Sequence, residues 1–178
     1  MGAERLIPLL LVAVLAAGCR SGTQTGSDAE PQTDAGRAVV EWVNDGDTLT
    51  LTSGAKVRLL QIDAPELHTD CYGQAALKAL IRLTPKGTRV TLVADPALDA
   101  RDVHGRLLRY VFAGGENVNI ELVREGAASP YFFRNDRGRY AHVLLDAVDE
   151  ARDAHRGYWG SCPRAELNTG LGSITGRR

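Results

Sequence analysis

Three short runs rich in Val, Leu and Ile, at residues 38–43, 48–52 and 56–62, follow one another with very little between them. Only Asn44-Asp45-Gly46-Asp47 and Ser53-Gly54 separate them, and clusters of Asn, Asp, Ser and Gly let a backbone reverse through positive φ. Apolar, β-branched runs bounded by such turns read as strands. The chain therefore opens its domain with three strands joined by two tight reversals.

A helix is expected after Gly73, because Ala75, Ala76, Ala79, Leu80 and Leu83 recur at helical spacing until Thr84-Pro85 stops it. Residues 88–93 and 107–112 read as two further strands. Two more helices are expected, one over residues 118–125 closed by Gly126 and one from Tyr140 to about Ala154 closed by Gly157. Five strands with a helix after the third fit an α+β, mainly β, architecture: a five-stranded Greek-key barrel of the OB type with three helices. Trp42 and Trp159 are expected as core and helix-anchoring residues.

The flanks differ from this domain. Residues 6–17 are wholly apolar and lead into Gly18-Cys19. The run is well short of the roughly 18 or more residues that cross a bilayer, so residues 1–18 are expected to be a cleaved signal peptide. Leu15-Ala16-Ala17-Gly18-Cys19 resembles the bacterial lipobox, in which the Cys becomes the first residue and carries lipid. A diacylglycerol on Cys19 supplies two chains, which anchor stably where one does not, and would hold the protein at a membrane facing outside the cytoplasm. The alternative is an ordinary secretory cleavage near Ala17 or Gly18 that releases the protein. Residues 19–36 lack large apolar side chains and read as a flexible tether, residues 37–162 as one globular domain, and residues 163–178 as a disordered tail. Acylation of Cys19 leaves Cys71 and Cys162 as an even pair in an oxidising compartment, where a disulfide between them is expected.

The formal net charge is −1, so attraction of the whole molecule cannot hold a polyanion, and any phosphate contact must come from a local group of Arg or Lys. The four His residues, His68, His104, His142 and His155, are scattered without zinc-site spacing and suit surface or helix-face positions.

Three segments carry candidate chemistry. Asp47 ends the first turn, which by itself is an ordinary hairpin reversal. Residues 58–66, Arg-Leu-Leu-Gln-Ile-Asp-Ala-Pro-Glu, bring Asp63 and Glu66 to a strand end, since Pro65 stops the strand and holds Ala64 extended. Strand alternation puts Arg58 and Asp63 on opposite faces unless the chain bends. Residues 102–106, Asp-Val-His-Gly-Arg, turn into the fifth strand with Arg106 at its start. Each is commonplace alone. Together they offer hard oxygen ligands in Asp47 and Asp63, a base in Glu66 and two planar guanidinium groups in Arg58 and Arg106, the parts that phosphodiester hydrolysis needs.

With these motifs, Asp-Gly-Asp-Thr at residues 45–48, Arg-Leu-Leu-x-x-Asp-x-Pro-Glu at 58–66 and Asp-x-x-Gly-Arg at 102–106, the sequence resembles the staphylococcal nuclease (thermonuclease) family over essentially all of residues 37–162. The resemblance implies an OB barrel with three helices and a hydrolase that cleaves DNA and RNA with little sequence preference, leaving 3′-phosphate ends. It implies one Ca2+ held by Asp47, Asp63 and the carbonyl of Ala64 with waters, Glu66 acting on the attacking water, and Arg58 and Arg106 holding the phosphate. Tyr131 and Phe133, in Ser129-Pro130-Tyr131-Phe132-Phe133, fall where the family has substrate-stacking aromatics, the plain alternative being that this segment packs on the barrel. Ala64 stands where a Thr is common, and Val103-His104 where the best-known member has Lys-Tyr. No protein partner is expected and the chain is read as a monomer. Two other readings compete: an inactive binding module on the cell surface for protein or nucleic acid, and a calcium-stabilised structural domain in which the acids matter and the arginines do not.

Overall fold

The computed structural model describes Met1 and residues 35–176. The signal peptide, Cys19 and nearly all of the tether assigned above lie outside the described residues. Strand β1 (Ala35–Val43) is followed by β2 (Thr48–Leu51), β3 (Lys56–Leu59) and β4 (Ile62–Asp63), then helix α1 (Gly73–Leu83) and strands β5 (Arg89–Val93), β6 (Leu107–Ala113) and β7 (Glu116–Asn117). Helix α2 (Val118–Arg124), strand β8 (Ser129–Pro130), helices α3 (Ala141–Asp153) and α4 (Tyr158–Ser161) and strands β9 (Glu166–Asn168) and β10 (Gly172–Ile174) complete the order.

The main sheet runs β3-β2-β1-β5-β6-β7, and β3 also pairs with β6 in parallel, so β1, β2, β3, β5 and β6 close into a barrel. Closure removes the open edges that an exposed sheet would offer to another chain. The barrel and three main helices are the mainly β, OB-type architecture expected from the sequence. Its interior holds Val40, Leu49, Val57, Leu59, Val90 and Val111, covered by Ala76 and Leu80 of α1, Leu122 and Val123 of α2 and Leu144 and Val148 of α3.

Long β1 serves both halves of the barrel, pairing with β5 through residues 35–39 and with β2 through its end. Its register slips between Val40 and Trp42, a bulge that reverses which side chains face inward. Val40 is fully buried while Trp42 is 52% exposed, so Trp42 is not the core residue expected. Among the described residues β1 reaches back past residue 37, with Gly36 paired to Leu92.

The third apolar run is not one strand. It breaks at Gln61, whose φ is +59°, a left-handed conformation costly for a residue with a β-carbon. The side chain of Gln61 fixes the bend: Nε2 donates to the Asp136 carbonyl at 2.8 Å, and Oε1 accepts from the Tyr110 hydroxyl and the Gly138 N–H, both at 3.0 Å. Beyond it β4 pairs with β8. Fully buried Asn119 clamps α2 to the same region, accepting from the Val111 N–H at 3.0 Å and donating to the Leu60 carbonyl at 2.9 Å.

Helix α1 starts against the turn before it. A β-carbon on Gly73 would lie 2.2 Å from the Glu66 carbonyl oxygen, so only glycine permits this approach. Helix α2 is capped by Asn117, whose side chain accepts from the N–H groups of Asn119 and Ile120.

Residues 163–178, read as disordered from their composition, are ordered as far as residue 176. Strands β9 and β10 form an antiparallel hairpin with Gly172 opposite Asn168 and Ile174 opposite Glu166. What orders it is attachment to the domain. Cys162 is bonded to Cys71, with Cα atoms 6.0 Å apart, the Phe132 N–H donates to the Thr169 carbonyl at 2.7 Å, and the Cys71 N–H donates to that of Gly176 at 3.1 Å.

Candidate active site

The turn after β1 sets the first acid. Asp45 Oδ1 accepts from the Asp47 N–H at 3.1 Å, and Asn44 Oδ1 accepts from the Thr50 hydroxyl at 2.8 Å, so the turn is tied by its own side chains. Asp47 then points inward and is 6% exposed. Its Oδ1 faces Arg58 Nε at 2.9 Å and accepts from the Thr48 hydroxyl at 3.1 Å, and its Oδ2 accepts from the Ala64 N–H at 2.8 Å.

The bend at Gln61 brings Asp63 round to the side of Arg58, which simple alternation would not do. Arg58 Nη2 lies 2.8 Å from Asp63 Oδ1, while Nη1 donates to the carbonyls of Leu59 at 2.8 Å and Ile62 at 2.6 Å. One guanidinium thus serves both acids and stitches the bend. The other oxygen of Asp63, Oδ2, accepts from the Ser173 N–H at 2.9 Å.

Two acids share one cation here. Burial pushes the Asp47 carboxyl up to about 7, with Asp45 and Asp63 adding to the shift and Arg58 opposing it. Burial also raises Asp63, against Arg58 and the Ser173 N–H. The two carboxylates are hard oxygen donors of the kind a divalent cation takes, and its positive charge would relieve the acids that Arg58 alone does not neutralise. Among the described residues no cluster of three or more His, Cys, Asp or Glu side chains converges, so water would have to supply the rest of the shell.

Arg106 is set from the start of β6, the strand beside β3. Asp102 Oδ1 accepts from the His104 and Arg106 N–H groups at 3.0 Å each, and its Oδ2 accepts from Arg106 Nε at 2.6 Å. Although partial burial works the other way, the side chain and backbone of Arg106 hold Asp102 below its ordinary value and so keep it ionised. Arg106 Nη1 reaches the Thr48 hydroxyl oxygen at 3.5 Å, so Thr48 links Arg106 to Asp47 and the three sequence motifs meet.

Arg58, Gln61, Asp102, Arg106, Tyr131 and Phe133 line one open cleft of about 420 Å³. Tyr131 is fixed by its N–H to the Gln61 carbonyl at 2.9 Å. Phe133 is 53% exposed with the Arg134 guanidinium 4.9 Å from its ring centroid, whereas Phe132 between them is buried in the core. The segment therefore does both things weighed above, with one aromatic packing inward and two facing the cleft. Glu66 stands apart, exposed beyond the buried Ala64-Pro65 step, and its carboxylate makes no hydrogen bond or ion pair with the described residues. Sequence reasoning missed Gln61 and Ser173 and gave Thr48 no role, although Thr48 stands within the Asp-Gly-Asp-Thr motif. His104, read as a surface residue, is exposed and also lines the cleft.

The chain matches the family described as staphylococcal nuclease homologue over residues 56–161, from β3 through α4. It is 36% identical over 124 residues to an uncharacterized endonuclease of Haemophilus influenzae, covering 66% of this chain and 62% of that protein. It is 33% identical over 137 residues to endonuclease YhcR of Bacillus subtilis, covering 68% of this chain but 11% of that protein. With the thermonuclease of Staphylococcus intermedius it shares 31% identity over 131 residues, covering 68% of this chain and 74% of that protein. The chain thus spans less than two thirds of the first two relatives. A barrel of this topology, the three motifs meeting beside one cleft and the match over most of the domain lead to one conclusion: the chain belongs to the staphylococcal nuclease homologue family.

Proposed function

We propose that this protein is a nuclease that hydrolyses phosphodiester bonds of DNA and RNA with little sequence preference, requires Ca2+, and works as a monomer outside the cytoplasm, anchored through lipid on Cys19. The observation that carries this reading is the meeting of Asp47, Asp63, Arg58 and Arg106 beside a cleft with Tyr131 and Phe133 on its wall. Its relatives' names, endonuclease and thermonuclease, support the same reaction class. The bond between Cys71 and Cys162 supports an oxidising compartment.

Calcium, when bound, supplies a Lewis acid for a phosphoryl oxygen and lowers the pKa of a bound water. The protein's own groups do the rest. Asp47, Asp63 and the Ala64 carbonyl would hold the ion. Glu66, reachable from solvent, takes a proton from the attacking water, and Arg106, aimed by Asp102, donates to the phosphate as charge gathers there. Attack on phosphorus with departure of the 5′ oxygen leaves a 3′-phosphate. Tyr131 and Phe133 offer ring faces that accept any base.

The test is a digestion of single-stranded DNA, duplex DNA and RNA with excess calcium and with excess chelator. Cleavage that needs calcium and leaves 3′-phosphate ends is expected. The detached position of Glu66 is the one observation that favours the second reading, a binding module, and retention of DNA without cleavage in calcium would establish it.

A further inference from the structure

The C-terminal hairpin does more than lie on the domain, because its second strand, β10, closes on the Asp63 side chain. The Ser173 N–H donates to Asp63 Oδ2 at 2.9 Å, and the Ser173 hydroxyl donates to the Asp63 backbone carbonyl. At the neighbouring position a β-carbon on Gly172 would lie 2.4 Å from Asp63 Oδ2 and 2.7 Å from its Cγ. Gly172 also has φ +85°, so both its backbone and its surroundings call for glycine. The carboxylate is thus fixed on both sides, by Arg58 at Oδ1 and by the hairpin at Oδ2.

We propose that Ser173 and Gly172 are positioning residues for the metal site, holding Asp63 in the orientation in which it ligates the ion. This inference rests on the reading of Asp47 and Asp63 as ligands. Each carboxylate oxygen accepts about two hydrogen bonds or ligand contacts, so one donor on each still leaves a lone pair for a cation. What the donors remove is rotation. A short acid at a strand end, with its side chain 31% exposed, would otherwise sample several rotamers, and a ligand that must be ordered on binding binds more weakly. The hairpin is itself held by the Cys71–Cys162 bond and by the Thr169 and Gly176 carbonyls, so the orienting groups sit on a clamped element.

The experiment measures Ca2+ affinity without nucleic acid, by displacement of Tb3+ luminescence, in the full chain and in Gly172→Ala, Ser173→Ala and Ser173→Thr. Melting temperatures in chelator are recorded alongside. Partners that orient metal ligands typically contribute about 10- to 100-fold in affinity. Gly172→Ala is expected to weaken calcium by at least about 10-fold. Ser173→Ala, which keeps the N–H to Asp63 Oδ2 but loses the hydroxyl that ties the hairpin to the Asp63 carbonyl, is expected to weaken it by a few-fold, with Ser173→Thr near wild type and the metal-free melting temperature of Ser173→Ala little changed. Wild-type affinity in both Gly172→Ala and Ser173→Ala would overturn the positioning role while leaving the metal site intact. A wild-type protein that binds neither Tb3+ nor Ca2+ would overturn the metal site and the positioning role with it. A Ser173→Ala protein that loses calcium only in step with lost thermal stability would show a purely structural hairpin and overturn the proposal.

Discussion

Arg58 and Asp47 form a buried ion pair, Nε to Oδ1 at 2.9 Å, in which the same guanidinium must also serve Asp63. Because burial outweighs this shared attraction, the Asp47 carboxyl is pushed up to about 7, well above the ordinary carboxylate range. An acid whose folded pKa lies above its unfolded value takes up its proton first in the folded state. In the metal-free protein its contribution to stability is therefore present below about pH 4 and lost as pH rises through about 7. A bound cation favours the ionised form and opposes that loss. Urea melts in chelator are expected to show a component of stability that falls across this window. Calcium should raise Tm more at about pH 8 than at about pH 5. An equal effect of calcium at both pH values would remove Asp47 from the metal site.

Glu66 and Arg106 are expected to fail in different ways. Glu66→Gln should lower turnover by about 10²- to 10⁴-fold and leave calcium affinity close to wild type, since the amide cannot take a proton. Arg106→Lys should be nearly as damaging as Arg106→Ala, because a lysine keeps the charge but not the planar fork that Asp102 orients through Nε. Single-turnover cleavage with calcium titrations separates these outcomes. A Glu66→Gln enzyme at the wild-type rate would show that this residue is not the base.

The bond between Cys71 and Cys162 spans a sequence separation of 91 residues. Chain entropy for such a loop gives about 4 to 5 kcal/mol, an upper bound that residual structure in the unfolded chain reduces. The double variant Cys71→Ser with Cys162→Ser is expected to lose about 2 to 4 kcal/mol in chemical denaturation. Its residues beyond 162 should also become sensitive to limited proteolysis. Two titratable thiols in the folded, non-reduced wild-type protein would contradict this arrangement.

Gln61→Leu should destabilise more than an exposed substitution. It removes the buried amide that the Tyr110 hydroxyl, the Asp136 carbonyl and the Gly138 N–H bond to, and still leaves a residue with a β-carbon at positive φ. A loss of about 2 kcal/mol is expected, together with weaker nucleotide binding, because Tyr131 hangs from the Gln61 carbonyl. Equilibrium unfolding and the Kd of a short oligonucleotide in chelator would measure the two effects.

Cys19→Ser is expected to move the protein from the membrane fraction to the soluble fraction, since the acyl chains then have no sulfur to join. Fractionation of cells expressing both forms tests this. Wild-type protein found wholly in the medium would set the lipid anchor aside.

The strands around Val40, Leu49, Val57, Val90 and Val111 were legible because each combines β-branched composition with a turn signal at its end. The three motifs could be picked out because motif spacing survives without knowledge of the fold, and the structure brings Asp47, Asp63, Arg58 and Arg106 together while Glu66 stands apart. What escaped was set at long range. The left-handed bend at Gln61 depends on partners as far away as Asp136 and Gly138, and no local propensity announces it. The exposure of Trp42 follows from a bulge created by the register against β2. The tail escaped because its Leu167, Leu171 and Ile174 are too few to order it alone, and the docking points on Phe132, Asp63 and Cys71 are distant in sequence.

The parallel pairing of β3 with β6 joins segments separated by the whole of α1 and β5, with Arg58 opposite Leu108. Contacts of such high sequence separation form only after the chain has met the loop-closure cost, and they slow folding compared with local structure. Arg58 and Arg106 lie at the two sides of that seam, so no fragment ending before β6 can contain both in place. The site should therefore assemble in one step late in folding, and an unfolded chain of full length would carry every site residue and yet have no site.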